Sequence, residues 1–254
     1  MRHKLRLSLG ITLLLWTVML SAGGTNTALE LPALEQGEVI IQHTGFSLVY
    51  SEKDEQAKWV AYTLTPEKVN NKVVKRDKER FREDPLISTG SATDKDYKNS
   101  GYSRGHLCPA NDNAWSKKAM RDCFYFSNMS PQKQDFNGGI WKNLEMYVHN
   151  LAVQYDTLYI VTGPVLKSDK PFVTIGKNEV SVPEYFYKVI MVYGTEPEAI
   201  GYLIPQTGFG KDFQAYACSV DAVEKVTGLD FYVTLSNNIE THIESMTQNI
   251  FKDK

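Results

Sequence analysis

Short apolar alternations bounded by turn residues dominate the first two thirds of this chain, and they never settle into a regular strand-helix-strand rhythm. Val39 to Gln42 and Phe46 to Tyr50 flank Thr44-Gly45, the pattern of a hairpin, and Trp59 to Leu64 reads as the next strand. Phe124 to Ser127, Leu158 to Thr162, Tyr187 to Tyr193 and Ala199 to Ile204 are further strand candidates. Helical spacing is confined to Ile140–Val153, a short segment ending near Gly228, and Ile239–Ile250. Strands in the majority, with helices interspersed out of βαβ order, predict an α+β fold on a largely antiparallel sheet.

The chain opens with a leader-like segment. Arg2, Lys4 and Arg6 precede an apolar run from Leu7 to Leu20, and the small residues Ser21-Ala22-Gly23-Gly24 follow. The run is shorter than the ~20 residues a membrane-spanning helix prefers. Residues 1–23 therefore read as a cleaved signal peptide, 24–36 as an N-terminal linker and 37–254 as one domain, which predicts a secreted or periplasmic protein without stable membrane insertion. An uncleaved N-terminal anchor is the other reading. Subtracting the three leader cations from the full chain's −2 leaves −5 for the mature form. An acidic total is not the usual footprint of a nucleic-acid binder. Local charge decides such binding, however, and Lys72, Lys75, Arg76, Lys78, Arg80 and Arg82 crowd eleven residues against only Asp77 and Glu79.

Three cysteines allow at most one bridge, with Cys108 and Cys123 near in sequence and Cys218 far away. His106, Cys108 and Cys123 can also be read as zinc ligands, although they lack the paired spacing of strong zinc motifs.

The chemistry concentrates between Gly101 and Glu145. Gly101-Tyr102-Ser103-Arg104-Gly105-His106-Leu107-Cys108-Pro109-Ala110 is followed by Ser127-Asn128-Met129-Ser130-Pro131-Gln132, and then by Asn137, Trp141, Asn143, Leu144 and Glu145. A glycine-flanked Arg/His pair and an Asn-to-Glu segment entering a helix can place a base, a cation ligand and a phosphate clamp in one pocket. In order and spacing this segment resembles the DNA/RNA non-specific endonucleases of the ββα-metal, or His-Me finger, superfamily. The likeness extends from about Ile40 to the C-terminus through Trp59-Val60-Ala61-Tyr62, Phe81-Arg82-Glu83-Asp84, Val161-Thr162-Gly163-Pro164, Tyr187-Lys188-Val189 and Thr227-Gly228-Leu229-Asp230-Phe231. One position departs from the family pattern: Ser103 stands where an Asp is usual.

The resemblance implies a ββα-metal finger on the antiparallel sheet, and metal-dependent cleavage of both DNA and RNA with 5′-phosphate products. His106 is then the general base, since a neutral imidazole accepts the proton of an attacking water. Asn137 is the ligand of a hydrated Mg²⁺, with Mn²⁺ or another divalent cation as alternatives. Its other reading is a helix N-cap. Glu145 acts through a metal-bound water. Arg104 and Arg76 are phosphate clamps, Arg76 being preferred over Arg80 and Arg82 by its place five residues before Phe81. Asn128 and His149 complete the expected substrate contacts, His149 standing where relatives carry a helical Arg. A buried Asn bridging backbone groups accounts for Asn128 equally well. The competing function is a catalytically weak or inactive nuclease fold that binds nucleic acid or a protein partner, suggested by the acidic total and by Ser103.

Helical spacing orders the segment after Asn137. Ile140, Leu144, Val148 and Leu151 share one stripe and face the core, while Trp141, Glu145 and His149 form the neighbouring line towards a cleft.

Overall fold

A computed structural model describes residues 28–207, 210 and 212–247. The signal segment and the end of the expected Ile239–Ile250 helix lie outside them. Among the described residues eleven strands run in chain order: β1 Ile41–Gln42, β2 Ser47–Ser51, β3 Gln56–Leu64, β4 Ser103–His106, β5 Met129–Gln132, β6 Leu158–Pro164, β7 Thr174–Ile175, β8 Val180–Ser181, β9 Tyr185–Val192, β10 Glu198–Pro205 and β11 Ala217–Cys218. Seven helices accompany them: α1 Pro66–Asn70, α2 Asp94–Tyr97, α3 Lys117–Asp122, α4 Gln134–Phe136, α5 Lys142–Leu151, α6 Val220–Thr227 and α7 Asn237–Glu244.

The main sheet is antiparallel throughout, in the order β1-β2-β3-β6-β9-β10-β11. Its central strands are covered on both sides. Along β3, Val60, Tyr62 and Leu64 enter one apolar core while Trp59 and Ala61 enter the other, as the two-residue period of a strand requires. On β9 the same alternation sends Phe186 and Ile190 to the first core and Tyr187, Val189 and Met191 to the second. α5 packs into the first core through Leu144, Val148 and Leu151, and α6 and α7 pack into the second through Val220, Val223 and Ile243. Among the described residues no helix is long and apolar enough to cross a membrane.

Over the first core lies a separate hairpin, β4 against β5, with Arg104 opposite Pro131 and His106 opposite Met129. Gly105 is needed there because a Cβ would collide with the side chain of Gln132. The chain then passes through α4 and one wide π-type turn, Asn137–Trp141, into α5. Gly139 sits in that turn at φ −105° and ψ −110°, outside helical values. Two strands and a helix thus form the expected finger.

Several boundaries differ from expectation. Phe124–Ser127 is not a strand: a single bridge joins Arg82 to Tyr125, and Phe126–Asn128 forms a 3₁₀ turn before β5 begins. Phe124 and Phe126 alternate because they enter two different apolar clusters. The helix expected from Ile239 begins at Asn237 and ends at Glu244. All three cysteines are free, so the possible Cys108–Cys123 bridge is not formed.

Candidate active site

The finger and the basic 72–82 segment enclose a cleft of about 990 Å³. Arg76, Arg104, His106, Asn137 and Glu145 all line it. Each arrives by a different route. β4 carries Arg104 and His106, the wide turn carries Asn137, the first turn of α5 carries Glu145, and a 3₁₀ turn at Arg76–Lys78 carries Arg76. Five cations, Lys72, Lys75, Arg76, Arg104 and Lys142, line the cleft against Asp77, Asp112 and Glu145. The cleft is therefore locally basic although the chain is acidic, and this is the sign that attracts a polyanion.

His106 is wedged between aromatic rings, with Phe124 edge-on at 4.9 Å and Phe81 at 5.8 Å. Its Nε2 is buried and has no hydrogen-bond partner. Burial, and then the charge of Arg76, push its proton affinity down to about 3. The ring is therefore neutral across the physiological range.

Asn137 has helical backbone angles, φ −60° and ψ −47°, and its N–H donates to Lys133 O at 2.9 Å. An N-cap needs extended backbone, so the capping alternative is excluded and the amide is left to the cleft. Glu145 sits above the fully buried Lys188 of β9, whose Nζ lies 5.2 Å from the Trp141 ring. Burial pushes Glu145 up and Lys188 down, each towards its neutral form, while their mutual attraction opposes both shifts.

Arg104 rides over Phe81 at 5.3 Å and Tyr97 at 6.0 Å, and its Nη2 donates to the exposed Asp94 at 2.6 Å. Arg76 lies 5.9 Å from the Phe124 ring centroid and makes no ion pair among the described residues. Arg80 and Arg82 do not line the cleft, and Arg82 is tied to Glu79 at 2.6 Å. Ser103 Oγ donates to Gln134 Oε1 at 2.5 Å, fastening β4 to α4.

Two expected substrate contacts are corrected. Asn128 is fully buried: its Oδ1 accepts the Cys108 N–H at 2.9 Å, and its Nδ2 donates to Cys108 O at 3.0 Å and Cys123 O at 2.9 Å. All of its amide is spent on holding the loop after His106, which leaves nothing for substrate. His149 is also buried, and its Nδ1 lies 2.7 Å from Asp112 Oδ1. Of the Trp141-Glu145-His149 line only Glu145 lines the cleft, because Asp112 covers His149 and Lys188 lies beneath Trp141. The zinc alternative also fails. Cys108 Sγ accepts from Asn113 Nδ2 and Cys123 Sγ donates to Met120 O, and with His106 these groups form no ligand cluster among the described residues.

Asp112 is the residue that sequence reasoning missed. Buried at the wall of the cleft, it comes from a 3₁₀ turn, Ala110–Asn113, and is held by His149 and by a long 3.4 Å contact from the Tyr62 hydroxyl. An available signal was its place in Pro109-Ala110-Asn111-Asp112-Asn113, immediately downstream of His106.

Comparison with known proteins agrees with this geometry. The chain is 35% identical over 212 residues to the mitochondrial nuclease EXOG of Xenopus laevis, covering 78% of this chain and 59% of that protein. It is 32% identical over 213 residues to the mitochondrial endonuclease G of Homo sapiens, covering 79% and 71%. A nuclease from a Nostoc species is 32% identical over 217 residues, covering 80% and 77%. This chain thus spans less than two thirds of the frog protein's length. A crystal structure of EndoG with EndoGI superposes with a TM-score of 0.74 at 31% identity, covering 81% of this chain and 89% of the other. A family model for DNA/RNA non-specific endonucleases matches residues 23–238, and the chain belongs to that family.

Proposed function

We propose that this chain is an exported, metal-dependent endonuclease that hydrolyses DNA and RNA with little sequence preference. The observation that carries the reading is the convergence of His106, Asn137, Glu145, Arg76 and Arg104 on one locally basic cleft. His106 is held neutral with an unpartnered Nε2, so it can take a proton from water attacking phosphorus. Arg76 and Arg104 pair with the non-bridging phosphate oxygens, where a guanidinium matches the geometry and cannot lose its charge. Attack by water makes the ribose 2′-OH unnecessary, which lets both sugars serve, and departure of the 3′-oxygen, as the family resemblance implies, leaves 5′-phosphate ends.

The residues fit a hydrated divalent ion. Asn137 offers a neutral amide oxygen and Glu145 a carboxylate, both hard donors. Among the described residues no trio of His, Cys, Asp or Glu closes on one point in the cleft, as suits an ion that keeps most of its waters. Asn137 would hold Mg²⁺, or Mn²⁺ in its place, and Glu145 would orient a water of its shell. Bound there, the ion supplies charge relief at the scissile phosphate and its leaving oxygen. The leader at residues 1–23 supports export, in contrast to the relatives named as mitochondrial.

Incubating the mature protein with supercoiled plasmid and with structured RNA, with and without EDTA, tests the reading. Mg²⁺-dependent cutting of both, lost in His106→Ala, is expected. Binding without nicking would instead identify a nuclease-fold binding protein.

A further inference from the structure

The second core, on the face of the sheet away from the cleft, carries another concentration of charge. α6 presents Asp221 and Glu224, three residues apart and so on one side of the helix. α7 ends on Glu244. One carboxylate oxygen from each of the three lies within 4.8 Å of the other two. Asp221 is exposed and Glu224 half-buried, whereas Glu244 is only 6% exposed. Glu224 accepts the backbone N–H of Phe231 at 2.8 Å, but Glu244 Oε1 is buried with no hydrogen-bond partner. Among the described residues no lysine or arginine forms an ion pair with any of them. Asp230 and Glu240 add two more negative neighbours.

A fold does not gain from such an arrangement by itself. A buried carboxylate without a partner loses its hydration and receives nothing in exchange. The position of Glu244 compounds this, because the free carbonyls at a helix C-terminus are themselves partly negative and favour a cation. Burial, and then the surrounding acids, push Glu244 up to about 8. The missing element is a counter-charge, and the chain supplies none there among its described residues.

We propose that Asp221, Glu224 and Glu244 form a calcium site, distinct from the catalytic cleft, that clamps α7 onto α6. All the donors are carboxylate oxygens with no histidine or cysteine, which selects a hard cation over zinc. Ca²⁺ accepts six to eight oxygens in irregular geometry, so three carboxylates from two helices, completed by water on the open Asp221 side, suffice. The site fastens the C-terminal helix over Phe231 and Tyr232, both fully buried in the second core. It does not depend on the chain being a nuclease.

Thermal unfolding of the EDTA-stripped mature protein during a CaCl₂ titration tests the site. Saturating Ca²⁺ should raise Tm by roughly 3–8 °C, and equal Mg²⁺ by less. Glu244→Gln should abolish the calcium response and raise Tm in EDTA, while plasmid nicking in Mg²⁺ stays unchanged. Asn137→Ala, altered in the cleft, should keep the full response. Should Glu244→Gln fail to fold, Asp221→Asn at the exposed position should still weaken the response. Terbium luminescence sensitised by Tyr232, whose phenol feels both Glu244 and Glu224, should appear in Asn137→Ala and be weakened in Asp221→Asn. The site is overturned if Ca²⁺ has no effect, if Glu244→Gln responds like the parent, or if Asn137→Ala removes the response. A Tm insensitive to calcium that falls as pH rises from about 4.5 to about 8 would mean that protons, not metal, relieve the crowding.

Discussion

Asp112 Oδ1 and His149 Nδ1 lie 2.7 Å apart, a contact between two buried side chains of which only Asp112 borders the cleft. His149→Ala removes that hold and leaves the Asp112 carboxylate, among the described residues, with the long Tyr62 contact alone. The expected loss of stability is about 1–3 kcal/mol, read by urea unfolding, because removing one partner of a buried hydrogen bond leaves the other without its donor. Activity should fall about 10- to 100-fold in kcat with little change in KM, the mark of a positioning residue. A raised KM with unchanged stability would instead make His149 a substrate contact.

His106 fixes the sign of two pH effects. Its folded proton affinity is lowered to about 3, so the neutral form persists through mild acid, and kcat should show no His106 acid limb between about pH 5 and 7. Between the unfolded value near 6.5 and the folded value, the unfolded chain binds a proton that the fold refuses. Stability is therefore lost as pH falls through that window. Comparing urea midpoints at pH 7 and 5 should show a smaller acid loss in His106→Ala, whose nicking rate should be down about 10²- to 10⁴-fold.

Asn128 makes three buried hydrogen bonds to the backbone of Cys108 and Cys123. Asn128→Ala should cost about 3 kcal/mol or more, since each orphaned buried group adds its own desolvation penalty. Circular dichroism melts would show this as a lowered Tm, and an unchanged melt would return Asn128 to the list of substrate contacts.

Arg104 is paired with Asp94, which on the proposed function would compete with phosphate for its guanidinium. Asp94→Asn should lower KM for nucleic acid about twofold at low ionic strength, with the difference vanishing as salt rises. Arg104→Ala should raise KM about tenfold. If both variants match the parent, the guanidinium does not touch the substrate.

Ser103 donates to Gln134, and an aspartate in its place would require that amide to turn its nitrogen towards it. The added charge beside the cleft should lower the Mg²⁺ concentration needed for half-maximal nicking. An unchanged metal titration would show that position 103 serves only to join β4 to α4.

Much of this architecture is legible in local pattern. Ile140, Leu144, Val148 and Leu151 mark the buried stripe of α5, and the alternation around Trp59 marks a strand covered on both faces. What local pattern hides is tertiary. His149 and Trp141 follow Glu145's spacing yet are buried, because Asp112 and Lys188 come from elsewhere in the chain to cover them. Phe124 and Phe126 alternate like a strand but serve two separate clusters. Lys188 looks like a surface residue in sequence, and its Nζ sits against the Tyr62 and Trp141 rings instead. The lowered proton affinity of His106 likewise depends on its burial and then on Arg76, thirty positions earlier.

The wide turn at Asn137–Trp141 makes angular phase part of the site. One residue of an α-helix corresponds to about 100° of rotation, so the five-residue turn sets the bearing of Asn137 relative to Glu145 as firmly as their identities do. Deleting Gly138 or Gly139 would make the segment a better helix while swinging the amide around the axis. The chain would keep every side chain named in the cleft and lose their alignment.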